Sequence, residues 1–144
     1  MAFFQSILLA YDGSNTSKKA AAAAAQIAAV NRSKVEVVHV LERLKPVVTG
    51  EPAVYTPPGI DLIQDASQEI LEQSFDLFPP EINPRLTLLR GVPGPTIIEH
   101  SKQIGADLIV IGHRGLNRME EMFLGSVGQY VVRHSAMPVL VMKD

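Results

Sequence analysis

The stretch Asp107-Leu108-Ile109-Val110-Ile111, followed directly by Gly112, is the strongest indication of the fold in this sequence. Its four consecutive apolar residues do not alternate with polar ones, which is typical of a strand buried on both faces. Such strands belong to parallel sheets covered by helices on both sides. We therefore predict a strand here and an α/β fold around it.

Four other short segments with apolar cores resemble this one, and longer amphipathic segments separate them. The predicted strands are Ser6–Tyr11, Val35–Val40, Arg85–Leu89, Asp107–Ile111 and Pro138–Met142. The predicted helices run from the N-cap Ser14 to about Asn31, from about Ile60 to Phe78, and from near Gly125-Ser126 to Ser135. A further helix, with Pro95 near its first turn, follows the turn 91–95 and runs through about Ile104. Right-handed crossovers then favour an open, doubly wound, parallel five-stranded sheet of order 3-2-1-4-5, with helices on both faces.

Residues 1–144 are predicted to form one domain, because 144 residues are too few for two well-cored ones. In the first helix, we expect one buried face made of Ala20, Ala23, Ala24, Ile27 and Val30. The segment 41–59 keeps no periodicity and is rich in proline and glycine, so it is predicted to be a long loop.

Composition excludes several functional classes. The net charge of −2 argues against generic nucleic-acid binding, which needs clustered Lys and Arg. The absence of cysteine excludes disulfides, thiol nucleophiles and Cys-ligated metals. No apolar run reaches the about 18 residues that span a membrane, and we expect no signal peptide at the start of the sequence. We expect a cytoplasmic protein without membrane insertion.

The segment after the predicted fourth strand has the skeleton Gly112-x2-Gly115-x9-Gly125-Ser126 and leads into a helix. Glycine lets backbone N–H groups approach a phosphate, and a helix N-terminus adds unpaired donors and a positive dipole end. Single glycines in such places often serve only tight turns. Three of them with a serine, at the carboxyl end of the sheet, favour a phosphate site.

This glycine element resembles that of the universal stress protein family, as do the Asp12-Gly13-Ser14 segment after the first strand and the closing Pro138-Val139-Leu140-Val141. The resemblance covers nearly the whole chain and implies ATP binding, with AMP or ADP as alternatives and magnesium only through the phosphates. It also implies a homodimer formed through the last strand, Pro138–Met142.

Carried over to this sequence, the resemblance implies a set of nucleotide contacts. Asp12 would reach the adenosine, and Val40 would meet the adenine through its backbone. Family members often have Thr or Ser where Gly128 stands here, which removes one possible hydroxyl contact. The full predicted set is Ala10, Tyr11, Asp12, Val40, Gly112, His113, Arg114, Gly115, Gly125, Ser126, Val127 and Gly128.

Rival chemistries fit less well. A receiver domain needs an Asp that ends the third strand, where Leu89-Arg90-Gly91 stands. The P-loop pattern, the Ser-Gly-Gly-x-Asp-Ser loop of adenylating enzymes and the nucleophile elbow G-x-S-x-G are all absent. The four histidines lack metal-ligand spacing, and His39 is expected to be packed or hydrogen-bonded rather than catalytic.

No catalytic residue or metal ligand is predicted. The favoured hypothesis is a regulatory stress-response module that binds ATP and acts as a dimer. Two alternatives are a slow ATPase and an interaction protein that works without nucleotide. Arg114 is the one arginine that could serve as an arginine finger, and no general base is evident.

Overall fold

The computed structural model describes residues 3–42, 60–113 and 124–144. Within these ranges, five strands alternate with four α-helices and one short 3-10 helix, Phe75–Leu77. The strands are β1 Ser6–Ala10, β2 Lys34–Leu41, β3 Arg85–Arg90, β4 Leu108–Gly112 and β5 Val139–Met142. The helices are α1 Asn15–Asn31, α2 Ile60–Ser74, α3 Pro93–Gln103 and α4 Ser126–His134. Most of the predicted loop, residues 43–59, lies outside the described residues.

The five strands form one sheet in the order β3-β2-β1-β4-β5, and every neighbouring pair is parallel. The predicted fold class and strand order are therefore confirmed. Each strand differs from its predicted bounds by at most one residue at either end.

Two apolar layers lie on opposite faces of the sheet, because successive strand residues point to opposite sides. Ile7 and Leu9 of β1 pack in the layer that holds α1 and Leu71 of α2. Leu8 and Ala10 pack in the other layer, which includes α3 and Val131 of α4. Helices thus cover both faces, as the unbroken apolar strands predicted.

Helix α1 lies on the centre of the sheet through small side chains. Ser14 is its N-cap, as predicted, and its side chain accepts a hydrogen bond from the Ser17 amide. The predicted buried face is partly wrong, because Val30 is 84% exposed. The helix turns a stripe of small residues to the sheet instead. The buried positions are Thr16, Ser17, Ala20, Ala21, Ala24, Ala25 and Ala28.

Two polar contacts tie distant parts of the chain together. The Asp107 carboxylate, just before β4, accepts hydrogen bonds from the amides of Gln5 and Ser6 at 2.8 and 3.0 Å. In the layer of α3, the buried Glu36 of β2 accepts a hydrogen bond from His100 and is 3.4 Å from the Arg85 guanidinium. The strand ends and the α3 helix are therefore fixed by charge as well as by packing.

No helix among the described residues is long and apolar enough to cross a membrane.

Candidate functional site

The strand order creates a crevice at the carboxyl ends of β1 and β4. From β1 the chain winds outward through β2 to β3, and it then returns to the other side of β1 as β4. The helix that follows β1 packs on one face of the sheet and the helix that follows β4 packs on the other, which is the arrangement expected to leave a crevice between the two strand ends. Ligands of open α/β sheets bind at such topological switch points.

At the end of β1, Asp12 and Ser14 organise the turn into α1. Asp12 Oδ1 accepts a hydrogen bond from the Ser14 amide at 2.9 Å, and Gly13 between them has a φ of +82°. Ser14 Oγ in turn accepts from the Ser17 amide at 3.2 Å. The N-terminus of α1 is thus capped by its own chain, and the half-buried Asp12 carboxylate is held at the mouth of the crevice.

Tyr11 continues β1 by one residue beyond its last paired position. Its amide donates to the Val38 carbonyl at 2.9 Å, and its side chain is buried in the α1 layer. Burial raises the pKa of the Tyr11 phenol, and the Asp12 carboxylate raises it further. The phenol therefore stays neutral at physiological pH.

At the end of β2, the backbone separates from β1. The paired register of the two strands stops at Ala10 and Val38. The Tyr11 carbonyl, which comes next along β1, accepts a hydrogen bond from His39 Nδ1 at 2.8 Å. Val40 follows at the carboxyl end, half-buried against the α3 and α4 layer.

Gly112 ends β4 directly against the first turn of α1. A Cβ at this position would lie 2.5 Å from Thr16 Oγ1 and 2.8 Å from the Ser17 amide nitrogen. Since these distances leave no room for any side chain, Gly112 is required by the packing of α1 on β4. This steric role exists whether or not a phosphate approaches the same glycine.

His113 brings the start of α4 to the end of β4. Its amide donates to the Met142 carbonyl of β5 at 2.7 Å, and its carbonyl accepts from the Gly125 amide at 2.9 Å. The chain therefore returns to the crevice at Gly125 after residues 114–123, which lie outside the described part. Arg114 and Gly115, both predicted site residues, fall in that segment and remain predictions.

The N-terminus of α4 differs from that of α1 because its N-cap is Gly125, which has no side chain to accept from the first turn. Ser126 is exposed and Val127 is half-buried at the opening of the helix. Gly128 is buried, and a Cβ there would lie 2.6 Å from the end of the Leu124 side chain. No side-chain cap bond is found at this helix start among the described residues, so the first-turn amides of α4 are left as donors for an anion.

The structure thus gathers most of the predicted site at one end of the sheet. The described members at the strand ends and at the start of α4 are Ala10, Tyr11, Asp12, Val40, Gly112, His113, Gly125, Ser126, Val127 and Gly128. Within the described ranges, no group of three His, Asp or Glu side chains is placed to hold a metal ion.

Comparison with known proteins identifies the family of this chain. The sequence profile described as the universal stress protein family matches residues 3–143. A universal stress protein of Thermus aquaticus, named for the 3′ region of a QAH/OAS sulfhydrylase gene, is 35% identical over 140 residues, covering 97% of this chain and 99% of that protein. The chain belongs to the universal stress protein family.

Solved structures place this universal stress protein in the same fold. UspA from Lactobacillus plantarum superposes with a TM-score of 0.74 at 24% identity, covering 99% of this chain and 100% of that one. A universal stress protein solved in complex with cAMP has a TM-score of 0.68 at 25% identity, and the match covers 98% of both chains.

Two contacts at the site of this universal stress protein could not be read from its sequence. The fit of Thr16 against Gly112 depends on how closely α1 approaches β4, which no local pattern encodes. The bond from His39 to Tyr11 depends on the point where β1 and β2 separate. The apolar strand around His39 did signal that its ring would be packed or hydrogen-bonded.

Proposed function

We propose that this universal stress protein is a regulatory module that binds an adenine nucleotide, with ATP as the expected ligand. One observation carries the proposal. The uncapped N-terminus of α4 is held at the switch point by the bond from the Gly125 amide to the His113 carbonyl. A helix start with free amides, in a crevice between parallel strand ends, suits a phosphate group.

The two helices that start at this crevice favour different roles. The first turn of α1 is already capped by Ser14, so it offers fewer donors to a ligand. The first turn of α4 has no such cap, and Ser126 adds an exposed hydroxyl beside it. We therefore propose that the phosphates bind at Gly125, Ser126 and Val127, with Gly112, His113 and Gly128 beside them. Arg114 and Gly115, outside the described residues, stay predicted contacts.

The nucleoside is placed on the β1 and β2 side of the crevice. Asp12 Oδ1 is engaged by the Ser14 amide, which orients Oδ2 to accept from a ribose hydroxyl. The Val40 backbone would meet the base, and Ala10 and Tyr11 would form the floor between them. The structural relative solved with cAMP, which contains the same base and sugar, supports an adenosine ligand.

Binding rather than turnover is proposed as the primary activity. Asp12 is the carboxylate at the mouth of the crevice, and its bond to the Ser14 amide assigns it to holding the turn and the ribose rather than to activating water. Fast phosphoryl transfer needs a positioned base and added positive charge at the phosphates. Any hydrolysis is therefore expected to be slow.

We further propose that the protein acts as a homodimer through the segment Pro138–Met142. β5 is the last strand of the sheet, and its second side has no strand beside it among the described residues. An apolar edge strand of this kind is normally covered or paired, and an isologous contact would pair two copies. Light scattering at micromolar concentration should give twice the monomer mass, and a strictly monomeric mass would contradict the dimer.

Calorimetric titration with ATP, ADP and AMP, with and without magnesium, tests the nucleotide proposal. The wild-type protein should bind ATP, and Gly125→Val should weaken binding at least about tenfold because its side chain intrudes where amides meet phosphate. Ala136→Val is the matched control, since it adds bulk at an exposed position beyond the other end of α4.

Each outcome of this titration is decisive. Absence of heat with every nucleotide on the wild-type protein would overturn the proposal. Equal ATP affinity in Gly125→Val and Ala136→Val would show that the phosphates do not sit at α4. Release of phosphate at a rate of catalytic importance would make the protein an enzyme rather than a binding module.

A further inference from the structure

We infer that His39 is a positioning residue that keeps the Val40 backbone available to a ligand by occupying the carbonyl with which Val40 would otherwise pair. The effect of His39 on ligand binding rests on the proposed function, since the ligand concerned is the nucleotide base. The structural part of the inference concerns only the ends of β1 and β2 and can be measured without nucleotide.

The hydrogen bonds between β1 and β2 follow the regular pattern of a parallel pair. In a parallel pair, one residue donates its amide to the partner strand and accepts at its carbonyl from the residue two positions further along that strand. Tyr11 donates its amide to the Val38 carbonyl at 2.9 Å. The next bond of the ladder would run from the Val40 amide to the Tyr11 carbonyl.

That next bond is replaced by a side chain. The Tyr11 carbonyl is bonded by His39 Nδ1 at 2.8 Å, and the paired register ends one residue earlier, at Ala10 and Val38. Among the backbone hydrogen bonds of the described residues, none joins Val40 to Tyr11. The imidazole therefore satisfies a half-buried carbonyl at the point where the two strands part.

The other side of β2 shows where the Val40 peptide groups point. The Leu41 carbonyl accepts from the Gly91 amide at 3.1 Å, so the peptide groups of Leu41 face β3. Successive residues of a strand present their N–H and C=O groups to opposite neighbours. The Val40 amide and carbonyl consequently face the side of β1, beyond the last paired residue of that strand.

This arrangement presents a donor and an acceptor side by side at the carboxyl end of the sheet. Adenine carries the complementary pair on one edge, the acceptor N1 beside the N6 amino donor. Guanine presents a donor and an acceptor in the opposite order on the same edge. A Val40 backbone freed by His39 would thus favour adenine over guanine.

The hydrogen bond also determines which nitrogen of the His39 imidazole carries a proton. A carbonyl oxygen has no proton to give, so the proton of this bond must be on His39 Nδ1. A side-chain amide can supply a donor at about the same position, since the Asn nitrogen is attached to Cγ as Nδ1 is. A leucine has similar reach but no donor.

These relations define a matched pair of variants, His39→Leu and His39→Asn. In His39→Leu the Tyr11 carbonyl loses its donor, and we expect the Val40 amide to close the ladder onto it. Affinity for ATP should then fall about tenfold, and the preference for ATP over GTP should shrink by a similar factor. His39→Asn should stay within about threefold of wild type, and inorganic tripolyphosphate should bind all three proteins alike.

Hydrogen exchange of the Val40 amide supplies a readout that needs no nucleotide. In the free wild-type protein, this amide should exchange faster than that of Val38, which faces β1 inside the paired register. In His39→Leu the Val40 amide should become at least about tenfold more protected, and in His39→Asn it should behave as in wild type.

The outcomes separate this inference from the proposed function. If wild type binds no nucleotide but Val40 exchange responds to His39→Leu as expected, the proposed function fails and the positioning role stands. If wild type binds ATP while His39→Leu binds it equally and Val40 exchange does not change, the positioning role is overturned. If His39→Leu does not fold, nitrogen NMR of the wild-type imidazole decides, because a ring without a proton on Nδ1 contradicts the inference.

Discussion

Burial of the Tyr11 phenol raises its pKa above the ordinary value of 10.0, and the Asp12 carboxylate adds to the rise. Below pH 10 the phenol is neutral in both folded and unfolded chains, so its contribution to the free energy of unfolding is constant. Above that pH the unfolded chain releases the proton while the folded one retains it. The contribution of Tyr11 to stability is therefore lost as the pH rises through the folded-state pKa.

Tyr11→Phe should reduce the loss of stability at alkaline pH, because phenylalanine fills the same space and has no proton to release. Urea unfolding of both proteins at pH 8 and at pH 10.5 measures the effect. The free energy of unfolding should fall less in the variant between these two values. Equal falls in the two proteins would contradict the assigned cause.

Glu36 is a buried carboxylate that depends on partners from two other elements. His100 of α3 donates to it, and the Arg85 guanidinium, whose side chain is 80% exposed, lies 3.4 Å away. Removing the hydrogen-bond donor of a buried carboxylate leaves that carboxylate only partly satisfied even with Arg85 nearby, whereas replacing both buried partners with apolar residues is often neutral.

His100→Leu should therefore lower the free energy of unfolding by about 3 kcal/mol. Adding Glu36→Leu to the same chain should restore stability to within about 1 kcal/mol of wild type. Urea denaturation of both single variants, the double variant and the wild type completes the cycle. A double variant as unstable as the sum of the single ones would show that the pair is not coupled.

At the scale of elements, α1 packs tightly against the end of β4 at the site. The small residues of α1 let the helix approach the sheet, and Gly112 meets its first turn without a side chain. The position of Asp12 relative to α4 depends on this contact, because Asp12 leads into α1 while His113 follows Gly112. Packing of these two elements therefore sets the shape of the crevice.

Gly112→Ala should cost about 1–3 kcal/mol of stability, because the added methyl group overpacks against the backbone of Thr16 and Ser17. Thermal unfolding measures this cost. Combining the change with Thr16→Ala is the control, since it removes Oγ1 and leaves the backbone contacts at 2.8 Å. Full recovery in the double variant would assign the conflict to the Thr16 side chain instead of the helix backbone.

The elements themselves could be predicted from local pattern. The apolar run Leu108–Ile111 and the N-cap Ser14 each specify a structure within a few residues, and the structure confirms both. The buried face of α1 could be predicted less well, because alanine offers little contrast between two sides of a helix. The apolar Val30 therefore favoured the wrong face of the helix, and it is exposed in the structure.

The residues of the candidate site could likewise be predicted only in part from the sequence. Asp12 and Gly112 could be singled out because each follows a buried strand, and parallel strands end at the same side of a sheet. The steric role of Gly112 could not be predicted, since its neighbour Thr16 is nearly a hundred positions earlier in the chain. The capping of α1 by Ser14 and the absence of a side-chain cap on α4 together decide where an anion is expected.

For the whole molecule, a ligand that binds only the folded state must raise its stability. ATP at about 100 times its Kd should add about 2.7 kcal/mol, and the Tm should rise by roughly 5–10 °C for a chain of this size. Differential scanning fluorimetry with ATP measures the shift, and GTP at equal concentration is the control. An equal shift with both nucleotides would argue against recognition of the base.

The pairing of β1 with both β2 and β4 also fixes an order of assembly during synthesis. β2 follows β1 closely in sequence, whereas β4 and the Asp107 carboxylate that holds the Gln5 and Ser6 amides come about 70 residues after β2. At about 5–20 residues per second, a ribosome needs several seconds to supply them. Through that interval the open side of the central strand is a template for pairing with other chains. The half-built sheet is therefore the stage at which this chain is most exposed to association with its neighbours.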